Sequence, residues 1–174
     1  MNMSGKRALI VIDMQNDYLW EKRKSKFAYD TEKLTAAVNR SIREYSENGD
    51  DVIYIAQIFP NLPTNRLLIG FSIKGTEGAE LYKGVDRVSE LYFEKNLPNT
   101  FTAKKFREFM ARQQYSEVAV CGVDECGCVG ATAKGAAKTG LKVSLLTAST
   151  GTRFSGKKLQ RMREQLNKLG VIYK

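Results

Sequence analysis

The sequence predicts a doubly wound three-layer α/β/α fold on a mostly parallel sheet of roughly six strands. Three observations predict it. Short apolar, β-branched runs alternate with longer segments of helical period along most of the chain. The first two runs flank a helical segment within about fifty residues, which is a βαβ unit with a right-handed crossover. The apolar runs are continuous, as in strands buried on both faces, and lack the alternation of half-exposed strands.

Arg7 to Asp13 reads as the first strand and ends in an acid. Tyr18 to Tyr29 is polar and basic and reads as a loop. Thr31 to Glu47 reads as a helix: Asp30 or Thr31 can cap it, and Leu34, Val38, Ile42 and Tyr45 recur at three- to four-residue intervals. Asn48-Gly49 stops it, and Val52 to Ala56 is the second strand. Phe59 to Gly84, with prolines and glycines and no sustained period, is a long connection of the kind that carries function. Leu91 to Glu94 is a brief strand, followed at once by Lys95. Thr102 to Arg112 is a helix with Phe106, Phe109 and Met110 inward. Val118 to Val123 is a central strand, and Val129 to Thr139 a helix of small residues able to lie close to the sheet. Val143 to Leu146, a helix over Gly156 to Leu169 and a short strand at Val171 to Tyr173 complete the alternation. The whole chain, 1–174, is read as one domain.

Composition narrows the chemistry. The chain has no histidine, which removes His-based triads and imidazole metal sites. Three cysteines, two of them as Cys126-x-Cys128, are poor material for a disulfide framework and point to reduced thiols. No apolar run is long enough to cross a bilayer, and the opening MNMSGKRALIVID lacks an extended signal-peptide core. A cytoplasmic protein without membrane contact is expected. A net charge of +9 brings nucleic acid into consideration. The positive residues fall mainly on amphipathic helical faces and one loop, with no aromatic-rich basic strand, so nucleic acid is not the expected partner. An anionic small-molecule substrate accounts for the charge equally well.

Three predicted strand ends present reactive side chains: Asp13, Lys95 and Cys128. In a parallel sheet all carboxyl ends share one edge, where α/β proteins bind ligands. An ammonium and a helix N-terminus favour a thiolate, and a carboxylate can take a thiol proton and return it to a leaving amine. Backbone N–H groups in the turn Asp124 to Cys128 can hold an oxyanion. Cys121, inside the strand, reads as packing. Gln15, Tyr18, Trp20, Phe59 and Phe71 are the candidate pocket residues.

Four segments in order resemble one family. ALIVIDMQNDYL is similar to the first strand and D-x-Q-x-D signature of the isochorismatase-like cysteine hydrolases, the family of nicotinamidases and carbamoylsarcosine-type amidohydrolases. GTEGAEL, FEKNLPNTF and VCGVDECGCVGATAKGA resemble three further family segments. The resemblance implies Asp13 as catalytic acid–base, Lys95 as the catalytic lysine and Cys128 as nucleophile, with backbone N–H groups of Asp124 and Cys128 as the oxyanion hole. It also implies a thioester intermediate, a cis peptide between Val123 and Asp124, and self-association into a homo-oligomer. By the resemblance, the metal-binding Asp-x-His pair of nicotinamidases corresponds to the stretch Gln57-Ile58-Phe59-Pro60, and their later histidine falls near Phe71. No metal and no cofactor are therefore expected. The cysteine favours C–N over vinyl-ether cleavage. Asp124 and Glu125 depart from the usual turn, and an acid beside a thiol raises its pKa. Two other readings stand beside the hydrolase: a catalytically impaired binding or assembly module, and a thiol redox protein using Cys126 and Cys128.

Overall fold

The computed structural model describes residues 5–174; Met1 to Ser4, the start of the segment read above for a signal peptide, lie outside the described residues. The elements run β1 (Arg7–Ile12), α1 (Asn16–Leu19), α2 (Thr31–Glu47), β2 (Asp51–Gln57), α3 (Pro63–Leu68), β3 (Tyr92–Lys95), α4 (Lys104–Gln113), β4 (Glu117–Val123), α5 (Cys128–Lys138), β5 (Lys142–Gly151), α6 (Gly156–Lys168) and β6 (Ile172–Tyr173). The sheet has six strands in the order β3-β2-β1-β4-β5-β6. Every pair of neighbours is parallel, so the mostly parallel sheet expected is wholly parallel.

Alternation along β1 divides the core. Ala8, Ile10 and Ile12 face one side, where they meet Phe106 and Met110 of α4, Val129 and Ala133 of α5 and Leu166 of α6. Leu9 and Val11 face the other, against Leu34, Val38 and Ile42 of α2. Each such side chain, when fully buried, contributes roughly 1.5–3 kcal/mol of transfer free energy. The Asp30 carboxylate caps α2 by accepting the Lys33 N–H at 3.1 Å.

Small residues on α5 permit close packing. A Cβ added at Gly135 would collide with the Asn99 side chain, and one at Gly130 with the Glu125 carbonyl and Met162. Gly122 is required for a different reason. It has φ +108°, and a Cβ there would fall on the Ile12 carbonyl oxygen of the neighbouring strand.

Two departures from the predicted elements matter later. The connection between β2 and β3 contains a short helix, α3, none of whose residues is buried. β5 extends to Gly151, where the apolar run had suggested an end at Leu146. The register with β4 shifts between Val120 and Gly122, after which Gly122 pairs with Thr150 and Val123 with Gly151. This irregularity lets a polar TAST segment continue as strand. Among the described residues, no helix is long and apolar enough to cross a membrane.

Candidate active site

Strand order reverses at β1 and β4: connections from β1 lead outward to β2 and β3, and from β4 outward to β5 and β6. A crevice opens at such a switch point, beyond the carboxyl ends of the strands. Asp13 follows β1 directly, Lys95 is the last residue of β3, and Cys128 is the first residue of α5, after the turn that leaves β4. The fold therefore brings together the three groups that sequence reasoning singled out. Asp13 has φ 53°, in the left-handed region.

Lys95 and Asp13 form a buried ion pair, with Lys95 Nζ donating to Asp13 Oδ2 at 3.0 Å. Lys95 Nζ also donates to Gln57 Oε1 at 2.7 Å. An ammonium can only donate, so this bond fixes the Gln57 amide with its NH2 group turned the other way. Two buried atoms are left without partners here, Asp13 Oδ1 and Gln57 Nε2. Burial alone would lower the Lys95 pKa, but the adjoining Asp13 and Cys128 hold it above its ordinary value.

The Cys128 thiol is pushed well up, by burial first and by Asp13 second, while Lys95 opposes the rise. The resting arrangement at neutral pH is thus a neutral thiol beside a carboxylate–ammonium pair. Asp124 and Glu125 are turned to other tasks. The Asp124 carboxylate accepts from Tyr29 OH at 2.9 Å, from the Arg153 N–H at 2.8 Å and from the Cys126 N–H at 2.9 Å. Glu125 is buried and receives the Arg163 guanidinium of α6 at 2.7 and 3.1 Å. The acid that pushes the Cys128 thiol up is Asp13, across the crevice.

The peptide bond between Val123 and Asp124 is cis. The Asp124 carbonyl accepts from the N–H groups of Gly127 and Val129. Among the described residues, the N–H groups of Asp124 and Cys128 have no such acceptor. Cys121 is fully buried, and burial alone pushes its thiol up. Cys126 is half-buried, and its thiol is raised by burial, then by Asp124 and Glu125. Neither is activated.

A cavity of about 320 Å³ opens over Cys128, Asp13 and Gln57. Of the wall residues expected, Tyr18, Phe59 and Phe71 line it. Gln15 and Trp20 do not. Gln15 is wholly buried as a backbone tie, donating to the carbonyls of Gln57 at 3.0 Å and Ala79 at 2.7 Å and accepting the Gln57 N–H at 2.8 Å. Trp20 lines a separate groove beside the first turns of α2.

Among the lining residues that the sequence reading did not single out are Gln57, Phe27, Tyr29, Lys26 and Arg153. Gln57 had a usable signal, because it is a polar residue at a strand's carboxyl end, like Asp13 and Lys95. Phe27 and Tyr29 are apolar positions inside a basic loop, and both are buried. Arg153 was hidden because β5 outruns its apolar stretch. Phe27 packs edge-on against Tyr18 and Phe71, with ring centroids 4.7 and 5.1 Å apart. Phe59 meets Phe71 at 6.1 Å.

A wholly parallel, doubly wound sheet with a buried carboxylate–ammonium pair beside a half-buried thiol at its switch point defines an α/β protein whose crevice groups include no histidine. The isochorismatase domain model matches residues 7–170, and the chain belongs to the isochorismatase family. The isochorismatase family protein YddQ of Bacillus subtilis is 27% identical over 134 residues, covering 76% of this chain and 71% of that protein. Among solved structures, the pyrazinamidase of Pyrococcus horikoshii in complex with zinc superposes with a TM-score of 0.81 at 24% identity, over 97% of this chain and 98% of that one. The N-carbamoylsarcosine amidase of Thermoplasma acidophilum superposes with a TM-score of 0.79 at 21% identity, over 97% and 95%.

The zinc of the Pyrococcus structure raises the question whether these residues suit a metal. They do not. Among the described residues, no three His, Cys, Asp or Glu side chains converge to hold an ion. Phe59 and Phe71, which offer no ligand atom, meet edge to face in the cavity wall.

Proposed function

We propose that this protein is a metal-independent cysteine hydrolase that cleaves a C–N bond, amide or ureido, of a small molecule through a thioester. The observation that carries the reading is the state of Asp13. One carboxylate oxygen is held by Lys95, and the other is buried, unpartnered and beside a neutral thiol. Such an oxygen is poised to accept a proton as sulfur attacks.

The steps balance as follows. Asp13 takes the Cys128 proton while Sγ adds to the substrate carbonyl carbon, and the carbonyl oxygen becomes an oxyanion. The free N–H groups of Asp124 and Cys128 stabilise that oxyanion. Collapse breaks the C–N bond, and Asp13 returns the proton to the leaving nitrogen, releasing ammonia or an amine. Water then attacks the thioester with Asp13 as base, and the C–S bond breaks to regenerate the thiol and release the acid. Lys95 holds Asp13 in position throughout by its hydrogen bond to Oδ2.

Mass spectrometry after exposure to an amide panel tests the assignment. The expected result is an acyl adduct on Cys128 that is absent in Cys128→Ala, with turnover falling by at least ~10³-fold in that variant. Modification confined to Cys121 or Cys126 would overturn it. The pH dependence has a definite sign. A raised pKa keeps the group protonated at neutral pH, so iodoacetamide should alkylate Cys128 faster as pH rises, with no plateau in the ordinary thiol range. In Asp13→Asn, which removes the neighbouring anion, the rise should begin at lower pH.

A further inference from the structure

The rim of the cavity carries a charge that the proposed chemistry does not use. Lys26 and Arg153 both line it. Lys26 Nζ lies 4.4 Å from the centre of the Phe71 ring and 5.0 Å from that of Phe27. The Arg153 guanidinium lies 5.6 Å from the Phe27 ring centre, so the two cations flank the same aromatic wall. Burial lowers the Lys26 pKa, and the neighbouring charges of Lys24 and Arg153 lower it further. Among the described residues, neither Lys26 nor Arg153 has an ion-pair partner.

The two carboxylates lining the cavity are occupied. Asp13 is paired with Lys95, and Asp124 accepts three hydrogen bonds from Tyr29, Arg153 N–H and Cys126 N–H. The carboxylates are thus engaged by other groups, while the two cations of the lining, Lys26 and Arg153, are not. At the inner end, Gln57 Nε2 is a buried donor without an acceptor, on a residue more than nine-tenths buried. Between the rim and Gln57 stand Tyr18, Phe27, Phe59 and Phe71, and the volume is at the low end for a small-molecule site.

We propose that the substrate is a small, flat aromatic amide bearing one carboxylate remote from the scissile bond. This rests on the hydrolase reading above and specifies its substrate class. The ring fits between the aromatic edges, the amide faces Cys128, an acceptor on it meets Gln57 Nε2, and the carboxylate reaches Lys26 and Arg153 at the mouth. Its negative charge meets the two rim cations, which have no ion-pair partner of their own among the described residues.

A matched pair of probes tests the class. 4-Carbamoylbenzoate and terephthalamide have nearly the same shape and differ by one negative charge. Their binding to Cys128→Ala is measured by calorimetry at low and high salt, so that turnover plays no part. The expected result is at least ~10-fold tighter binding of the carboxylate at low salt, narrowing as salt screens the rim. The preference should shrink to within ~3-fold in Cys128→Ala carrying Lys26→Gln and Arg153→Gln, and return largely with Lys26→Arg in place of Lys26→Gln. Equal binding of the two probes, no measurable binding of either, or a preference untouched by the double substitution would each overturn the proposal. Ammonia release by the unsubstituted protein is scored separately. Hydrolysis of the neutral probe without charge preference leaves the hydrolase standing and removes this substrate class. Charge-selective binding with no adduct at Cys128 does the reverse.

Discussion

The two faces of the sheet are covered in different ways. On one, α4, α5 and α6 pack over Ile10, Ile53, Val120 and Leu145, with Phe101, Tyr115 and Val171 filling in from the connections. On the other, only α2 is a long helix. The β2–β3 connection supplies no second one, and Tyr18, Phe27, Tyr29, Leu81 and Tyr82 from loops complete the cover. The helical face makes the site rigid: α5 starts at Cys128, and α6 anchors the turn before it through Arg163 and Glu125. The loop face makes the site particular, because its aromatic wall and cationic rim rise from segments without regular structure. Asp13, Lys95 and Cys128 sit at the ends of regular elements, where the sheet's register determines position; the aromatic wall and the two rim cations sit mostly on loops, which can vary without disturbing that register.

Unfolding experiments can break or sharpen this contrast. The largest effect is expected at the strand ends. Lys95→Met leaves the Asp13 carboxylate buried without its partner, and such losses cost roughly 3–5 kcal/mol. Urea denaturation should show it, and Asp13→Asn added to Lys95→Met should recover a large part. A single variant as stable as the parent would mean that the pair is not held as rigidly as described. An intermediate effect is expected where the helical face grips the turn before Cys128. Arg163 is partly exposed, so Arg163→Ala should cost only about 1–2 kcal/mol. It should also lower kcat more than it raises KM, since the turn carries Cys128. The smallest effect belongs to the loop face. Leu67 and Leu68 on α3 are 85% and 80% exposed, and Leu67→Gln should change stability by no more than ~0.5 kcal/mol. A loss of several kcal/mol there would show that α3 is packed against something, and the contrast between faces would fail.

Much of this was legible in the chain itself. The helix read as Thr31 to Glu47 has those bounds in the structure, because a capping acid, a clean apolar period and an Asn-Gly stop all agree. Asp13, Lys95 and Cys128 could be chosen because a parallel sheet aligns its carboxyl ends, and short apolar runs announce where those ends fall. Gln15 and Trp20 were misplaced as walls, since being near a reactive residue in sequence does not say which way a side chain turns. Gln15 instead holds β2 and the Ala79 segment to the end of β1. Arg153 was invisible because a register shift prolongs β5 through a polar stretch.

By itself the sequence determined the alternation of strand and helix, the absence of imidazole chemistry and the three reactive strand ends. These follow from local rules: apolar period, caps and the absence of one residue type. Only the tertiary structure decided that Asp13 and not Asp124 is the acid pushing the Cys128 thiol up, that Gln57 accepts from Lys95, and that Lys26 and Arg153 share a rim with Phe27 and Phe71. Those relations join residues far apart in the chain, and neither propensity nor period carries information about where two loops meet in space.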